Sequence, residues 1–283
     1  MVVAESNPEA GIHKVDGIDY YETLDGEDRL WYVEAVPGAR EISVDLLPDG
    51  VAYGVEYTTL TINVPLYLAY MMNLFITNGG SFVQRRISHI SEAADVCKEG
   101  TGPFIINCTG LGSLSIGGVE DKNMYPIRGQ TLLVRAPNVK RTITRKGNVF
   151  GYVIPRGDGT VIIGGTAEKN SWDKCPSSDT TETIMHRVLD LEPALVQEEG
   201  IASMISKEDK VTDLRARILA VNVGFRPARV GGVRLEHETI NTTTHGKLQI
   251  FHCYGHGGFG YQSSLAYAKD VLDLVDSVSG TIR

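Results

Sequence analysis

Near its C-terminus the chain reads Gly255-His256-Gly257-Gly258-Phe259-Gly260, between the apolar run Leu248 to Tyr254 and an amphipathic pattern of helical period. This order predicts a strand, a glycine turn and the first turn of a helix. Glycines let backbone N–H groups approach a ligand closely, and the helix directs the positive end of its dipole toward an anionic group. The segment therefore predicts a ligand-binding corner.

The same turn spells G-x-G-x-x-G, the fingerprint of dinucleotide-binding βαβ units. Such a unit runs for about 30 residues or more, whereas here one helix and a short tail lead to Arg283. We therefore expect no second parallel strand after the helix and reject the dinucleotide fingerprint.

The composition is that of a globular protein. A length of 283 residues predicts two domains, at about 150 residues each. The net charge of −8 disfavours a nucleic acid or an anionic membrane as a partner. Neither an apolar run of about 18 residues nor a signal peptide is apparent, so we expect a soluble intracellular protein.

The cysteines and histidines predict no metal site. Four cysteines, Cys97, Cys108, Cys175 and Cys253, contain no C-x-x-C pair, so we expect buried thiols in a reducing compartment. We interpret His252 and His256 as structural residues.

The first hundred residues predict few regular elements. Residues 1–57 are irregular and polar, and Pro65 to Phe75 predicts a helix with an apolar face. Ser81 to Ile90 alternates as a strand does, and Phe104 to Thr109 is apolar throughout, as in a buried parallel strand.

The middle third predicts an antiparallel sheet. Its strands are Gln130 to Arg135, Tyr152 to Pro155 and Thr160 to Gly164, with a hairpin at Gly157-Asp158-Gly159. A helix follows, with Asp179 as its predicted N-cap and Pro193 at its end.

Three segments, in this order and spacing, resemble the D-amino-acid oxidase family of flavoproteins, and its fungal members in particular. They are Ile106 to Gly112, Gly224 to Arg229 and Tyr254 to Gln262. Shorter similarities occur at Tyr57 to Thr61, Val119 to Lys122, Arg128 to Gln130 and Tyr152 to Arg156. The resemblance extends from about Ile42 to the C-terminus.

The resemblance implies an α/β plus α+β fold, the remnant of a doubly wound FAD-binding sheet combined with a β-rich, mixed or antiparallel substrate-binding domain. Residues 1–63 would belong to the substrate domain and linkers, and 64–135 to the FAD-binding domain. Residues 136–223 would form the substrate domain, and 224–283 would return to the FAD-binding domain.

Family members begin with a strand, a glycine fingerprint and a helix that hold the FAD pyrophosphate, and this sequence shows no such unit. We therefore expect either an N-terminally truncated member or a degenerate relative, in which the pyrophosphate anchor is missing. Expressed alone, such a chain should be poorly soluble and should contain little FAD.

The resemblance assigns substrate binding to Arg226 and Tyr152. The guanidinium of Arg226 would bind the substrate carboxylate in bidentate geometry, which lysine does not reproduce. The Tyr152 hydroxyl would add a second hydrogen bond, and Gly258 and Gln262 complete the predicted catalytic set. The alternatives are a surface arginine in an ordinary salt bridge and a tyrosine ring that belongs to the core.

The resemblance also assigns the FAD contacts. Ile87 would contact the adenine through its main chain, and Thr109 would lie where the last strand reaches FAD. The flavin ring would be surrounded by Gly257, Gly258, Phe259, Gly260, Tyr261 and Gln262. A helix beginning near Tyr261 would direct its dipole at the pyrimidine end of the ring, where negative charge accumulates on reduction. The alternative is a tight corner that needs glycine only for its backbone.

The implied reaction is oxidative deamination of a D-amino acid, with transfer of the Cα hydrogen as hydride to flavin N5. The products are a 2-oxo acid, ammonia and, from O2, hydrogen peroxide. A homodimer is compatible with the family. Two alternatives remain: a fragment that holds no FAD and has no activity, and an oxidase for D-aspartate or another amine. The final residues, Gly280-Thr281-Ile282-Arg283, lack the Ser-Lys-Leu type of peroxisomal signal, so we expect a cytoplasmic location.

Overall fold

The computed structural model describes residues 7–24, 30–96, 104–196 and 206–280. The strands are β1 Ile12–Tyr21, β2 Arg40–Glu41, β3 Tyr53–Ile62, β4 Phe104–Asn107, β5 Met124–Arg135, β6 Arg141–Lys146, β7 Gly151–Pro155, β8 Thr160–Gly164, β9 Glu168–Lys169, β10 Ile218–Arg229, β11 Arg234–Thr242 and β12 Gly246–Tyr254. The helices are α1 Tyr32–Ala35, α2 Val64–Thr77, α3 Ser178–Leu191, α4 Lys207–Ala216 and α5 Gly260–Ser279.

The chain divides into two compact units. Unit 1 contains the residues up to Phe82, Gln130–Thr166 and Lys174–Val223. Unit 2 contains Val83–Gly129, Ala167–Asp173 and Gly224–Arg283. The helix α2, predicted to open the FAD-binding domain, lies in unit 1.

Unit 1 is built on a mixed sheet with the strand order β10-β5-β8-β7-β6-β1-β3-β2. The pairing of β1 with β6 is parallel, and β1 pairs with β3 in antiparallel register from Ile12 opposite Ile62 to Tyr21 opposite Tyr53. The prediction that residues 1–57 are irregular was therefore wrong. Backbone hydrogen bonds to β3 and β6 hold β1 in place. The strand therefore forms without an apolar pattern in its own sequence.

The three antiparallel strands predicted for the middle third are confirmed as β5, β7 and β8. Helix α3 packs on β7 and β8 and buries Ile184, Met185 and Val188 in the core of this unit. The predicted N-cap, Asp179, was wrong, because the Ser177 side chain accepts the hydrogen bond from the Thr180 N–H. The hydroxyl of a serine two residues earlier thus satisfies one of the unpaired donors in the first turn of the helix.

Unit 2 contains a three-stranded sheet in the order β11-β12-β4. Strand β4 pairs in parallel with β12, and β12 pairs in antiparallel with β11. Strand β4 is less covered than predicted, since Phe104 is 46% and Ile106 48% exposed.

The strand predicted over Ser81 to Ile90 does not form. Residues 81–88 have no regular structure, and His89 makes only an isolated bridge to Gly117. Phe82 and Val83 are largely exposed. An alternating pattern needs a neighbouring strand to complete its ladder, and none of the described strands pairs with this segment.

Helix α2 is confirmed close to its predicted bounds, but its side chains differ from the prediction. Apolar residues lie around the whole circumference, and none of them is buried. Within the described part of the chain, none of the helices is both long and apolar enough to cross a membrane.

Candidate active site at the glycine turn

The glycine turn connects β12 to α5, as predicted. Gly255 and Gly257 have positive φ angles of 93° and 58°, a conformation that side chains rarely adopt. The Gly257 N–H donates to the Pro227 carbonyl at 2.9 Å, and Ala228 forms a bridge with His256. The end of β10 therefore runs alongside the turn.

This arrangement brings Arg226 to the turn. A Cβ atom at Gly258 would lie 3.5 Å from Arg226 Cδ, and one at Gly129 would lie 2.8 Å from Arg226 Cζ. The arginine stem thus passes Gly258, and its guanidinium lies against the buried backbone of Gly129. Both glycines leave the room that the half-buried arginine occupies.

A buried carboxylate holds the base of the turn. Asp121 is 8% exposed and accepts hydrogen bonds from Arg229 Nε at 2.7 Å and from the Tyr254 hydroxyl at 3.0 Å. Burial acts to raise the pKa of Asp121, but the Arg229 and Tyr254 hydrogen bonds hold it below its ordinary value. Because Tyr254 directly precedes Gly255, this clasp fixes where the turn begins.

Thr109 lies one residue beyond Cys108, after the end of β4, and its side chain is engaged within the protein. Asn107 Oδ1 accepts from the backbone N–H and the hydroxyl of Thr109, and the same hydroxyl lies 2.7 Å from Ser113 Oγ. The Asn107 amide also lies 3.1 Å from His252 Nδ1. Burial lowers the pKa of His252, and the nearby Arg234 lowers it further. These contacts give His252 the structural role that was predicted for it.

The N-terminus of α5 suits an anionic group. Its N-cap, Phe259, makes no side-chain cap hydrogen bond, and the first turn contains no acidic residue. A Cβ atom at Gly257 would meet no atom within 4 Å, so a ligand has room to approach the backbone there. Phe259, Tyr261 and Gln262 are exposed. The residues present thus fit the edge of a flavin, whose reduction places negative charge near a helix dipole.

Tyr152 lies on β7 in unit 1, with its hydroxyl 2.7 Å from the position that a Cβ at Gly165 would take and its ring 5.8 Å from Phe150. The strand predicted to carry Ile87 is absent, and Ile87 packs against the core of unit 2. The assigned roles of Tyr152 and Ile87 in ligand binding stay predictions.

The cysteines differ from the prediction of buried thiols. Cys108 and Cys175 are exposed and Cys253 is partly buried, while Cys97 lies outside the described residues. Among the described residues, no three His, Cys, Asp or Glu side chains are arranged to hold a metal ion.

The sequence did not predict two features of the site: the contact of Gly129 with Arg226, and the hydrogen bonds of Asp121 with Arg229 and Tyr254. Gly129 and Asp121 both occur in segments that carry the family resemblance. The family resemblance therefore identified these two segments. It did not predict the contacts, because they join residues that are far apart in sequence.

Comparisons with known proteins identify the family. The profile of the family described as FAD dependent oxidoreductase matches residues 3–274. A D-amino-acid oxidase from Schizosaccharomyces pombe is 35% identical over 276 residues, which is 96% of this chain and 74% of that protein. A D-aspartate oxidase from Talaromyces thermophilus is 35% identical over 280 residues, 96% of this chain and 69% of that protein.

Solved structures share the fold. Glycine oxidase from Geobacillus kaustophilus superposes with a TM-score of 0.67 at 16% identity, over 94% of this chain and 72% of that chain. The family match defines the class of protein as a flavin-dependent oxidoreductase. The chain belongs to the FAD dependent oxidoreductase family, which confirms the resemblance and FAD as the family's cofactor.

Proposed function

We propose that this protein oxidises D-amino acids to 2-oxo acids with release of ammonia and hydrogen peroxide. The chemistry that bound FAD would supply is a hydride acceptor for the Cα hydrogen and a route for the electrons to O2. The observation that supports the proposal is the placement of Arg226 between Gly129 and Gly258, beside the turn.

The chain's own residues position the substrate. The guanidinium of Arg226 binds the carboxylate through two parallel hydrogen bonds, which fixes the orientation of Cα. The backbone at Gly257 and the first turn of α5 hold the ring edge, and the clasp of Asp121, Arg229 and Tyr254 keeps the turn in place. The substrate amine needs only to lose its own proton, so the mechanism requires no general base from the protein.

Replacing Arg226 tests this assignment. In chain loaded with FAD, Arg226→Ala should weaken D-amino-acid binding by about 2 to 5 kcal/mol, the range for losing one partner of a hydrogen-bonded charge pair. Arg226→Lys should restore only part of the loss, since an ammonium cannot form the bidentate pair. Steady-state KM values for peroxide formation measure the effect.

The matched control is Arg215→Ala, which removes an exposed ion pair with Glu182 in unit 1 and should leave KM unchanged. FAD content, read from the flavin absorbance, should be the same in all three variants. A wild-type KM for Arg226→Ala would show that the carboxylate binds elsewhere.

A second substrate class is favoured by the equal identity of the chain to a D-amino-acid oxidase and to a D-aspartate oxidase. Parallel assays with D-alanine, D-aspartate and sarcosine separate the two oxidases and a secondary-amine oxidase by their kcat/KM ratios.

A fragment without FAD is the remaining candidate, and the exposed apolar residues of α2 and β4 favour it. The absorbance spectrum of the purified chain decides between the candidates. A stoichiometric flavin signal excludes the fragment, while a colourless chain that stays inactive after addition of FAD excludes the oxidase.

A further inference from the structure

Two cysteines meet at the ends of two parallel strands in unit 2. The register of β4 and β12 places Asn107 opposite His252. The next residues after this pair, one following each strand position, are Cys108 and Cys253. Paired strands lie about 4.8 Å apart, within the Cα separation of about 4.4 to 6.8 Å that disulfides span. The Cys108 and Cys253 thiols are close enough to interact, since each affects the pKa of the other.

The two thiols have different surroundings. Cys108 is exposed, and Cys253 is partly buried with its sulfur 3.9 Å from His256 Nε2. The His256 ring is held against Tyr267, with the ring centroids 4.5 Å apart. Burial raises the pKa of both thiols, that of Cys253 to about 11. Cys108 is therefore the sulfur more accessible to peroxide, and Cys253 is the thiol next to it.

We propose that Cys108 and Cys253 form an oxidation site, at which hydrogen peroxide converts the two thiols into an intrachain disulfide. The source of peroxide in this inference rests on the proposed oxidase reaction. No metal or second protein takes part.

The chemistry balances in two steps. The Cys108 thiolate attacks one peroxide oxygen, so that an S–O bond forms, the O–O bond breaks, and the hydroxide released takes up a proton to give water. The Cys253 sulfur then attacks Cys108, so that the S–S bond forms, the S–O bond breaks, and a second water leaves with the Cys253 proton. The two thiols lose two electrons and two protons, and one peroxide is reduced to two waters.

The position of the bond gives it a consequence. Cys108 precedes Thr109, and Cys253 lies two residues before Gly255. A disulfide would tie the end of β4 to the start of the glycine turn. Hydrogen peroxide formed at the proposed active site would thus modify a segment next to that site.

The experiment uses the 283-residue chain carrying Cys97→Ser and Cys175→Ser, so that only Cys108 and Cys253 remain. After treatment with added hydrogen peroxide, the intact mass should fall by two hydrogen atoms. Digestion without reductant should release a peptide that links the two cysteines, and dithiothreitol should reverse both changes. Unmutated chain, mapped by differential alkylation, provides the same readout if the double variant does not fold.

The control adds Cys253→Ser, which should leave Cys108 as a sulfenic or higher oxygen adduct with no linked peptide. The proposal is overturned if both thiols stay reduced, if only intermolecular disulfides form, or if Cys108 ends as an oxygen adduct without a linked peptide while Cys253 is present. Because the peroxide is added, the result does not depend on FAD or oxidase activity. A disulfide in a chain that lacks oxidase activity would support this inference and count against the proposed function.

Discussion

Helices α2 and α3 of unit 1 are both 14 residues long, yet they differ in how many of their side chains are buried. Helix α3 mixes polar and apolar residues and buries five side chains in the core. Helix α2 is the more apolar and buries none. Its exposed side chains include Leu66, Leu68, Met71, Met72, Leu74, Phe75 and Ile76. Apolar composition thus predicts a tendency toward burial, while the fold determines whether a partner surface is present.

The largest expected difference is between two methionines, one on each helix. Met185 on α3 is fully buried, whereas Met72 on α2 is 41% exposed. Met185→Ala should lower the free energy of unfolding by about 2 to 5 kcal/mol, because a buried cavity remains. Met72→Ala should change it by no more than about 0.5 kcal/mol. Urea denaturation measures both, and equal losses would show that α2 is covered in solution.

Charged groups in unit 2 extend the comparison. Asp121→Asn should cost about 1 to 3 kcal/mol at neutral pH, because it weakens the buried hydrogen bonds to Arg229 and Tyr254. The control Asp273→Asn removes the exposed pair with Lys269 and should cost about 0.5 kcal/mol or less.

The effect of Asp121 should depend on pH with a definite sign. Its pKa is lowered in the folded protein, so the carboxylate stabilises the fold fully above the unfolded pKa of about 3.9. That stabilisation is lost as the pH falls through the folded pKa. The stability difference between wild type and Asp121→Asn should therefore disappear in acid. A difference that persists there would show that the carboxylate charge is not its source.

The N-termini of the two helices allow a smaller test. The Ser177 side chain caps α3, whereas Asn63 at the start of α2 makes no side-chain cap hydrogen bond. Ser177→Ala should lower stability by about 1 kcal/mol. The adjacent, exposed Ser178→Ala is the control and should stay within about 0.5 kcal/mol. If both cost the same, the cap is not the cause.

The smallest change in free energy is expected on the surface of α2. Replacing Leu68 and Leu74 by Gln should alter stability by no more than about 0.5 kcal/mol, while lowering aggregation and the binding of a hydrophobic dye. Leu189→Gln on α3 is the matched control and should destabilise the protein, because Leu189 is buried. Unchanged aggregation of the α2 variant would mean that another surface drives association.

Local sequence predicted the elements whose pattern is complete within one segment. The hairpin at Gly157-Asp158-Gly159, helix α2 and the strand-turn-helix around Gly255 all form as expected. Two predictions failed in opposite ways: β1 forms a strand that was not predicted, and the strand predicted through 81–88 does not form. Strand formation depends on a pairing partner that is distant in sequence. The polar β1 has two partners, and the alternating 81–88 pairs with none of the described strands.

The sequence by itself determined the family, the glycine turn and the presence of Arg226 on an extended segment next to it. Only the tertiary structure placed Gly129 against Arg226, joined Asp121 to Arg229 across 108 residues of chain, and set Cys108 beside Cys253. The reason is physical: φ preferences and capping act between near neighbours, whereas these contacts depend on sheet register and on which faces are buried. A pattern of residue types specifies the first set of interactions, and the packed chain decides the second.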